Sequence, residues 1–480
     1  MSVITRLIGV QLHNVKNVEY GTIEFTKEKD LLKCLNNHPV SINGIYGPNG
    51  SGKTALVESL LLFRLLVTNK YIVLDDFING LITIDADQSS IVYKLLITDK
   101  KIFYIASYEV AFQRVTDEKE KKRIILNKES LSVKQIFSST NTGRLSQKSL
   151  VKDFSINYDK IDSVYNQEYF EKHSKKCNQV ELNKMLEYKT RCKTERDSFL
   201  FSSFNQNILT ECAQQNGDAH LILKVLNAIH GYASANLSVF TNDESSLAYL
   251  NSIFIHIRQN NSTFSEIDEL FIDLEKDNEV KKSKYEKHYK NVFREINEVM
   301  PSFIDGFSIE PKVIGTKLND KNEEMVVFTV LSTTNGKTIP LAYESSGIKK
   351  ILAIISFLIG VYNDESVTLV VDEFDSGVFE FLLGQLLKVF DRFAKGQLIF
   401  TAHNSRGLEM LDANQVVFTT TNKDNRYIRV KNLKRSNNFR DFYYRAIVLG
   451  GQDEKLYYES TETKIALAFS VREDDANGQT

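Results

Sequence analysis

Residues 47–54 read Gly-Pro-Asn-Gly-Ser-Gly-Lys-Thr, a complete phosphate-binding P-loop. The motif dictates its surroundings: a buried strand, a glycine turn, then a helix whose N-terminus faces an anion. The sequence supplies them, with an apolar run before the loop (Val40, Ile42, Ile45, Tyr46) and a leucine-rich stretch after it (Ala55 to Val67). Gly47, Gly50 and Gly52 allow a tight turn in which successive N–H groups, including those of Asn49 and Ser51, point at phosphate oxygens. The positive end of the helix adds to that attraction. Lys53 is placed to bridge the terminal phosphates, and the Thr54 hydroxyl to ligate Mg²⁺.

A second apolar strand, Val367 to Val371, ends at Asp372-Glu373. An acid at such a strand end holds Mg²⁺ in P-loop enzymes, and an adjacent acid can deprotonate an attacking water. Alternation along a strand points the two carboxylates differently, so each can take a separate role. A third strand, Leu398 to Ala402, runs into His403, which could hydrogen-bond a terminal phosphate. Upstream, Glu344-Ser345-Ser346-Gly347-Ile348-Lys349-Lys350 leads into an apolar helix, Ile351 to Val361. Ser-Ser-Gly there is an N-cap, and its free N–H groups also make an anion site. One P-loop plus one further phosphate-binding helix start suggests two copies facing each other.

In order and spacing these motifs resemble the head of ABC-type ATPases, with Walker A at 47–54, a signature-like run at 344–348, Walker B at 367–373, a D-loop-like Asp375-Ser376-Gly377, and His403 as switch. More narrowly, the chain resembles the OLD/RloA-like (AbiLi-like) branch found in phage-defence systems, a relative of RecF and SMC heads. That branch commonly carries Ser-Ser-Gly followed by basic residues in place of Leu-Ser-Gly-Gly-Gln. The resemblance implies an α/β fold, a P-loop NTPase head of ABC type with an antiparallel β meander and an inserted helical lobe or short helical arm. It implies ATP and Mg²⁺ as ligands, with Thr54 and Asp372 on the metal, Glu373 as general base and His403 beside it. Ser345, Ser346 and Gly347 would act in trans on the nucleotide of a second copy, so that a homodimer closes around ATP, and Asp375 would couple the two sites. Gln206 is the expected Q-loop metal contact, with Gln88 the alternative. The signature lacks the second glycine and the glutamine, which implies slow or conditional hydrolysis.

Four segments follow: residues 1–160 as the first part of the head, 161–300 as a helical insert, 301–435 as the second part, and 436–480 as a tail. Residues 4–13 and 18–25 alternate as a hairpin, and residues 81–110 read as an antiparallel meander, with Ile124 to Leu126 a further strand. Residues 160–300 contain no proline, and 164–195, 219–229 and 264–300 carry helical periodicity, the last with Ile267, Leu270, Phe271 and Leu274 on one face. Pro301 closes the block, and strands return at 307–309, 325–331 and 337–341 with Asn335-Gly336 as a hairpin turn.

The net charge of −2 gives no global pull on nucleic acid. A local patch is the candidate for such contact, with core aromatics and solvated charges as the alternative reading: Lys423, Arg426, Arg429, Lys431, Lys434, Arg435, Arg440 and Arg445 are interleaved with Tyr427, Phe439, Phe442, Tyr443 and Tyr444. Cys34, Cys177, Cys192 and Cys212 have no metal-type spacing and fit a reducing cytosol. No signal peptide or membrane span is expected, because a span needs about 20 apolar residues. A transporter subunit lacks the large insert, a tandem translation-type protein needs two P-loops, and an SMC-type arm needs hundreds of coiled-coil residues. The expected function is an ATP-dimerised, cytoplasmic defence ATPase controlling a separately encoded effector, since 436–480 is too short for a Toprim nuclease. A RecF-like repair ATPase and an ATP-clamped scaffold without turnover are the alternatives.

Overall fold

The alternating N-terminal segments pair as an antiparallel hairpin, β1 (Ile4–Val15) and β2 (Val18–Glu24). A computed structural model describes residues 3–26, 41–69, 80–100, 102–116, 122–138, 145–159, 179–214, 216–241, 252–256, 269–273, 276–376, 378–403 and 405–429. β3 (Ser41–Tyr46) leads to the P-loop and to α1 (Lys53–Thr68). Then β4 (Gln88–Asp99), β5 (Ile102–Thr116), β6 (Lys122–Ser138) and β7 (Leu145–Asn157) form the expected meander, longer than the sequence suggested. They extend the hairpin into a six-stranded sheet, β2-β1-β4-β5-β6-β7. Ile82 makes only an isolated bridge to Val15.

Helices follow: α2 (Gln179–Glu195), α3 (Ser203–Ala213) and α4 (Gly217–Gly231). α4 runs through a π turn, Tyr232–Asn236, into β8 (Leu237–Phe240). The helical reading of 161–300 is corrected here. β8 is the outer strand of the parallel sheet, paired with β15 (Thr368–Val371) from Leu237↔Thr368 to Phe240↔Val371. A four-residue run carries no period of its own; pairing partners, not local pattern, make it a strand. The helix expected over 264–300 is likewise corrected. β9 (Ser252–His256) pairs with β10 (Glu269–Asp273), and β11 (Asn278–Lys281) joins a separate sheet before helix resumes at Lys282. Ile267 and Leu274 lie outside the described residues, as do 164–178 of the first helix.

The separate sheet contains β11, β12 (Ser308–Leu318), β13 (Glu324–Thr334) and β14 (Lys337–Pro340), covered by α5 (Lys290–Val299). Asn335 and Gly336 both take positive φ (51° and 76°), as a tight hairpin turn requires. α6 (Ser346–Asn363) follows, then β15, α7 (Glu380–Phe393), β16 (Gln397–Ala402), β17 (Val416–Thr419) and β18 (Tyr427–Ile428). The second six-stranded sheet has the order β18-β17-β3-β16-β15-β8, parallel except for β18.

Alternation on the parallel strands splits their side chains between two cores. Ile45, Val370 and Ile399 face α1 and the antiparallel sheet, while Ile42, Leu369, Val371, Leu398 and Phe400 face α6 and α7. α1 is buried nearly all round, with Leu56, Leu60 and Phe63 inaccessible to solvent. Each such side chain contributes about 1.5–3 kcal/mol. α6 bridges cores: Ile354 and Phe357 pack under the parallel sheet, and Ile351 and Ile355 under the β11–β14 sheet. Its composition and length would suit a membrane span, yet 56% of it is buried inside the fold.

Glu129 of β6 is a buried polar hub. It accepts from Tyr108 Oη (2.6 Å), Tyr158 Oη (2.6 Å), Ser198 Oγ (2.5 Å) and the Phe199 amide (2.9 Å). Burial raises its pKa, and these donors pull it back. Glu129→Ala would strand several buried donors and lower the unfolding free energy by about 3 kcal/mol or more. Urea denaturation reads this, with Glu129→Gln expected to cost less.

Candidate active site

Parallel pairing decides which residues meet. β3, β16 and β15 lie side by side, with Tyr46 opposite Ala402 and Phe400 opposite Val371. Their C-terminal ends therefore fall on one edge of the sheet, the edge where α/β folds bind ligands. The P-loop leaves β3 there, Asp372 leaves β15 and His403 leaves β16. A cleft of about 270 Å³ opens at this edge, and its walls include Asn49, Gly50, Gly52, Lys53, Thr54, Asp372, Glu373 and His403.

Gly50 and Gly52 take φ of 73° and 99°, backbone that a side chain strains. A Cβ on Gly52 would also lie 2.6 Å from Val18 Cγ2, while one on Gly50 would meet open space. Ser51 belongs to the loop's support: its hydroxyl donates to Pro48 O (2.6 Å) and pairs with Thr419 Oγ1. Lys53 Nζ donates to the carbonyls of Gly47 (2.7 Å) and Pro48 (3.0 Å). Burial lowers its pKa; Asp372, Glu373 and Asp375 oppose that by favouring the cation.

Asp372 is buried and doubly held. Thr54 Oγ1 donates to its Oδ2 (3.2 Å), and Thr401 Oγ1 donates to its Oδ1. Burial pushes its pKa up; the two hydroxyls resist and Glu373 adds to the rise. Thr401 Oγ1 also accepts the Glu373 amide (2.7 Å). Glu373 sits at φ 46°, left-handed backbone that costs a non-glycine residue roughly 1–2 kcal/mol. Its carbonyl accepts from Ser376 N (2.9 Å) and from Lys350 Nζ (2.7 Å). Its Oε1 lies 3.7 Å from His403 Nε2, and both side chains are partly open to solvent. Asp375 Oδ2 accepts the His403 amide (2.9 Å), which fixes the histidine's backbone to the turn after β15.

Ser345 caps α6, its hydroxyl accepting from the Ile348 amide (3.3 Å). Ser345 and Ser346 are exposed, Gly347 is half-buried, and none lines the cleft of its own chain. Gln206 is not brought to the cleft either: it lies in the first turn of α3, and its amide bonds Ser202 O (3.0 Å). Gln88 opens β4 and is equally absent from the walls. In their place the structure brings Lys16 and Asn17, from the β1–β2 turn, onto the cleft. Asn17 Nδ2 donates to Gly50 O. Only a hairpin of residues 4–13 and 18–25 was visible in sequence; what its turn covers depends on the pairing of distant strands.

The basic patch is corrected where it is described. Arg426 is buried and donates to Thr420 O (3.1 Å), Asn17 O (2.8 Å) and Glu19. Arg429 donates to Glu24 O (2.7 Å) and Asn43 Oδ1 (2.7 Å), and burial lowers its pKa to about 10. Both arginines satisfy internal carbonyls. The Tyr427 hydroxyl donates to Gly52 O (2.7 Å), so this segment braces the P-loop. Lys423 is well exposed. Lys431 and the later basic and aromatic residues lie outside the described residues.

A family profile described as AAA ATPase domain matches residues 6–406. The chain belongs to that family. The fold of this AAA ATPase domain is a P-loop NTPase head of ABC type. Solved structures similar to it include RecF with ATP (11% identity, 89% of this chain and 100% of that one, TM-score 0.38). An Smc head with an extended coiled coil, bound to the C-terminal domain of ScpA from Pyrococcus furiosus, is 10% identical (89% and 97%, TM-score 0.37). The SMC head domain from Thermotoga maritima is 11% identical (89% and 100%, TM-score 0.33). Among curated proteins there is no significant sequence match.

Gly50 and Gly52 give a direct test of the cradle. Gly52→Ala combines positive φ with a clash, so it should weaken binding of a fluorescent ATP analogue more than tenfold. Gly50→Ala carries the backbone strain alone and should cost a few-fold.

Proposed function

We propose that this AAA ATPase domain binds ATP with Mg²⁺, hydrolyses it, and works as a homodimer closed around the nucleotide. The observation that carries this reading is the meeting of Lys53, Thr54, Asp372, Glu373 and His403 in one cleft. The donor set fits Mg²⁺, which prefers oxygen ligands, one or two carboxylates, and phosphate oxygens. Thr54 and Asp372 would hold it, and Asp372 is buried with a threonine hydroxyl on each carboxylate oxygen. No cluster of three metal-ligating side chains exists among the described residues, so the substrate's phosphates would complete the shell. Bound there, Mg²⁺ supplies neutralisation of charge on the phosphate oxygens.

The chain's own residues then divide the work. The P-loop amides and Lys53 hold phosphate oxygens, Lys53 exchanging its two carbonyl contacts for them. The Glu373 carboxylate takes a proton from the attacking water. His403, next to it, donates toward the terminal phosphate and orients that water. Exposed Ser345 and Ser346, with Gly347, face the nucleotide of the second copy, and Asp375 ties His403 to the turn that carries Glu373.

In this reading the dimer is a cytoplasmic sensor or regulator in phage defence, acting on a separate effector. The support is the Ser345-Ser346-Gly347-Ile348-Lys349-Lys350 run in place of the common signature. A nucleic-acid contact through the basic patch would fall to Lys423 and residues beyond 429, since Arg426 and Arg429 are used internally.

Glu373→Gln keeps the shape and removes the base. It should lower ATP turnover by about 100-fold or more while leaving ATP binding intact. The variant should also elute as a dimer with ATP and Mg²⁺ on size exclusion; unchanged turnover would sink the proposal. The separate-effector reading predicts that the purified chain with ATP leaves DNA and RNA uncut on denaturing gels. ATP-dependent cleavage by the chain alone would overturn it.

A further inference from the structure

Lys350 is a lysine with no part in the site as expected from sequence, and it is buried to 3% exposure. It lies on α6, just over one turn beyond the Ser345 cap. Its ammonium donates to the backbone carbonyl of Glu373 across 2.7 Å, and the carboxylates of Asp372, Glu373 and Asp375 surround it electrostatically. Burying an ammonium is costly without such company. The peptide it grips is unusual, because Glu373 stands at φ 46° without being glycine. Conformations of this kind persist only where neighbours over-determine them. Here there are three: Thr401 takes the amide, Ser376 donates to the carbonyl, and Lys350 donates to the same carbonyl from a different element. Thr401 and Ser376 belong to the strand edge and the turn itself. Lys350 alone of the three comes from α6.

We propose that Lys350 is a positioning residue: it holds the Glu373 peptide in the left-handed conformation that aims the carboxylate into the cleft. This rests on the ATPase reading above and deepens it. One rigid helix then carries both the residues that face the partner's nucleotide and the contact that sets its own protomer's base.

The test uses the full chain with Lys350→Met, which keeps length and apolar bulk, and Lys350→Arg, which restores a donor. Glu373 O retains the Ser376 amide, so both variants are expected to fold. Lys350→Met should lower kcat about tenfold or more with KM and affinity for a fluorescent ATP analogue within about twofold. Lys350→Arg should recover part of that loss. In a Glu373→Gln background, Lys350→Met should add no further loss, because the lysine acts through Glu373. Hydrogen exchange should rise at residues 372–376 in Lys350→Met and stay unchanged in β6. Unchanged kcat, a full additional loss in the Glu373→Gln background, or unchanged exchange at 372–376 would each overturn the assignment. Exchange needs no turnover, so a wild-type chain that hydrolyses no ATP would refute the ATPase reading and still leave the clamp tested. If Lys350→Met does not fold, Lys350→Gln, too short to reach the carbonyl, decides: lowered kcat with exchange raised at 372–376 alone supports the clamp, and unchanged exchange there, or exchange raised over β6 as well, overturns it.

Discussion

Asp372 leaves β15 with each carboxylate oxygen taken by a threonine from a different element, Thr54 of α1 and Thr401 of β16. Those two bonds place the helix after the P-loop and the strand before His403 relative to one carboxylate. Thr401 does this while also receiving the Glu373 amide, so one buried hydroxyl sets both acids. A carboxylate so deeply placed is expensive unless hydrogen-bonded, and its raised pKa shows that hydroxyls alone do not fully compensate. Lys53 lies beside it, and each group's charge favours the charged form of the other.

Holding the cleft open at the right width is a task for the two sheets, and polar staples fix their spacing. Gln397, at the start of β16, exchanges two hydrogen bonds with the Leu7 backbone of β1 and accepts from Thr368. Tyr232 reaches the same Thr368 from the π turn. At the opposite end, Arg426 and Tyr427 of the C-terminal part tie the β1–β2 turn and the Gly52 carbonyl together. Buried polar groups of this kind add little net energy when satisfied, and they penalise every register in which they would be unpaired. Their effect is specificity of alignment, and the alignment is what makes Lys16 and Asn17 part of a cleft that their sequence position does not suggest.

The motifs legible in sequence are those in which chemistry and local structure coincide. Gly47 to Thr54 needs a strand before and a helix after; Asp372 and His403 need strand ends; Ser345 needs a helix start. Each lies at a strand end or helix start in the structure, because the turn residues and caps that flank these short apolar runs settle what periodicity alone leaves open. Leu237–Phe240 failed for the converse reason: four residues inside a helix-rich block gain strand structure only from β15. Leu270 and Phe271 satisfied a helical face on paper but belong to a β10 that pairs with β9. Arg426 and Arg429 misled because composition records charge and not direction, and both side chains turn inward to carbonyls. Lys350 was visible as part of a basic run, yet nothing local reveals that it points at a peptide 23 positions away.

The cleft of a single chain leaves its two most reactive side chains, Glu373 and His403, open to water at more than a third of their surface. Electrostatic control of a proton transfer weakens with such exposure, since solvent screens every charge the protein has placed. Among the described residues its walls come from the P-loop and the start of α1, the β1–β2 turn and the strand ends. A cover made of helix N-terminal N–H groups would exclude water there and bring positive potential to the side opposite Lys53. Ser345 and Ser346 make an exposed, capped helix start of this kind, and neither lines the cleft of its own chain. In the proposed homodimer the second copy would apply it. In that arrangement α6, anchored in two cores at once, has little freedom to bend. A push at its capped end must therefore travel along the helix, and the first buried charge it reaches is the pair of lysines that precedes the apolar stretch.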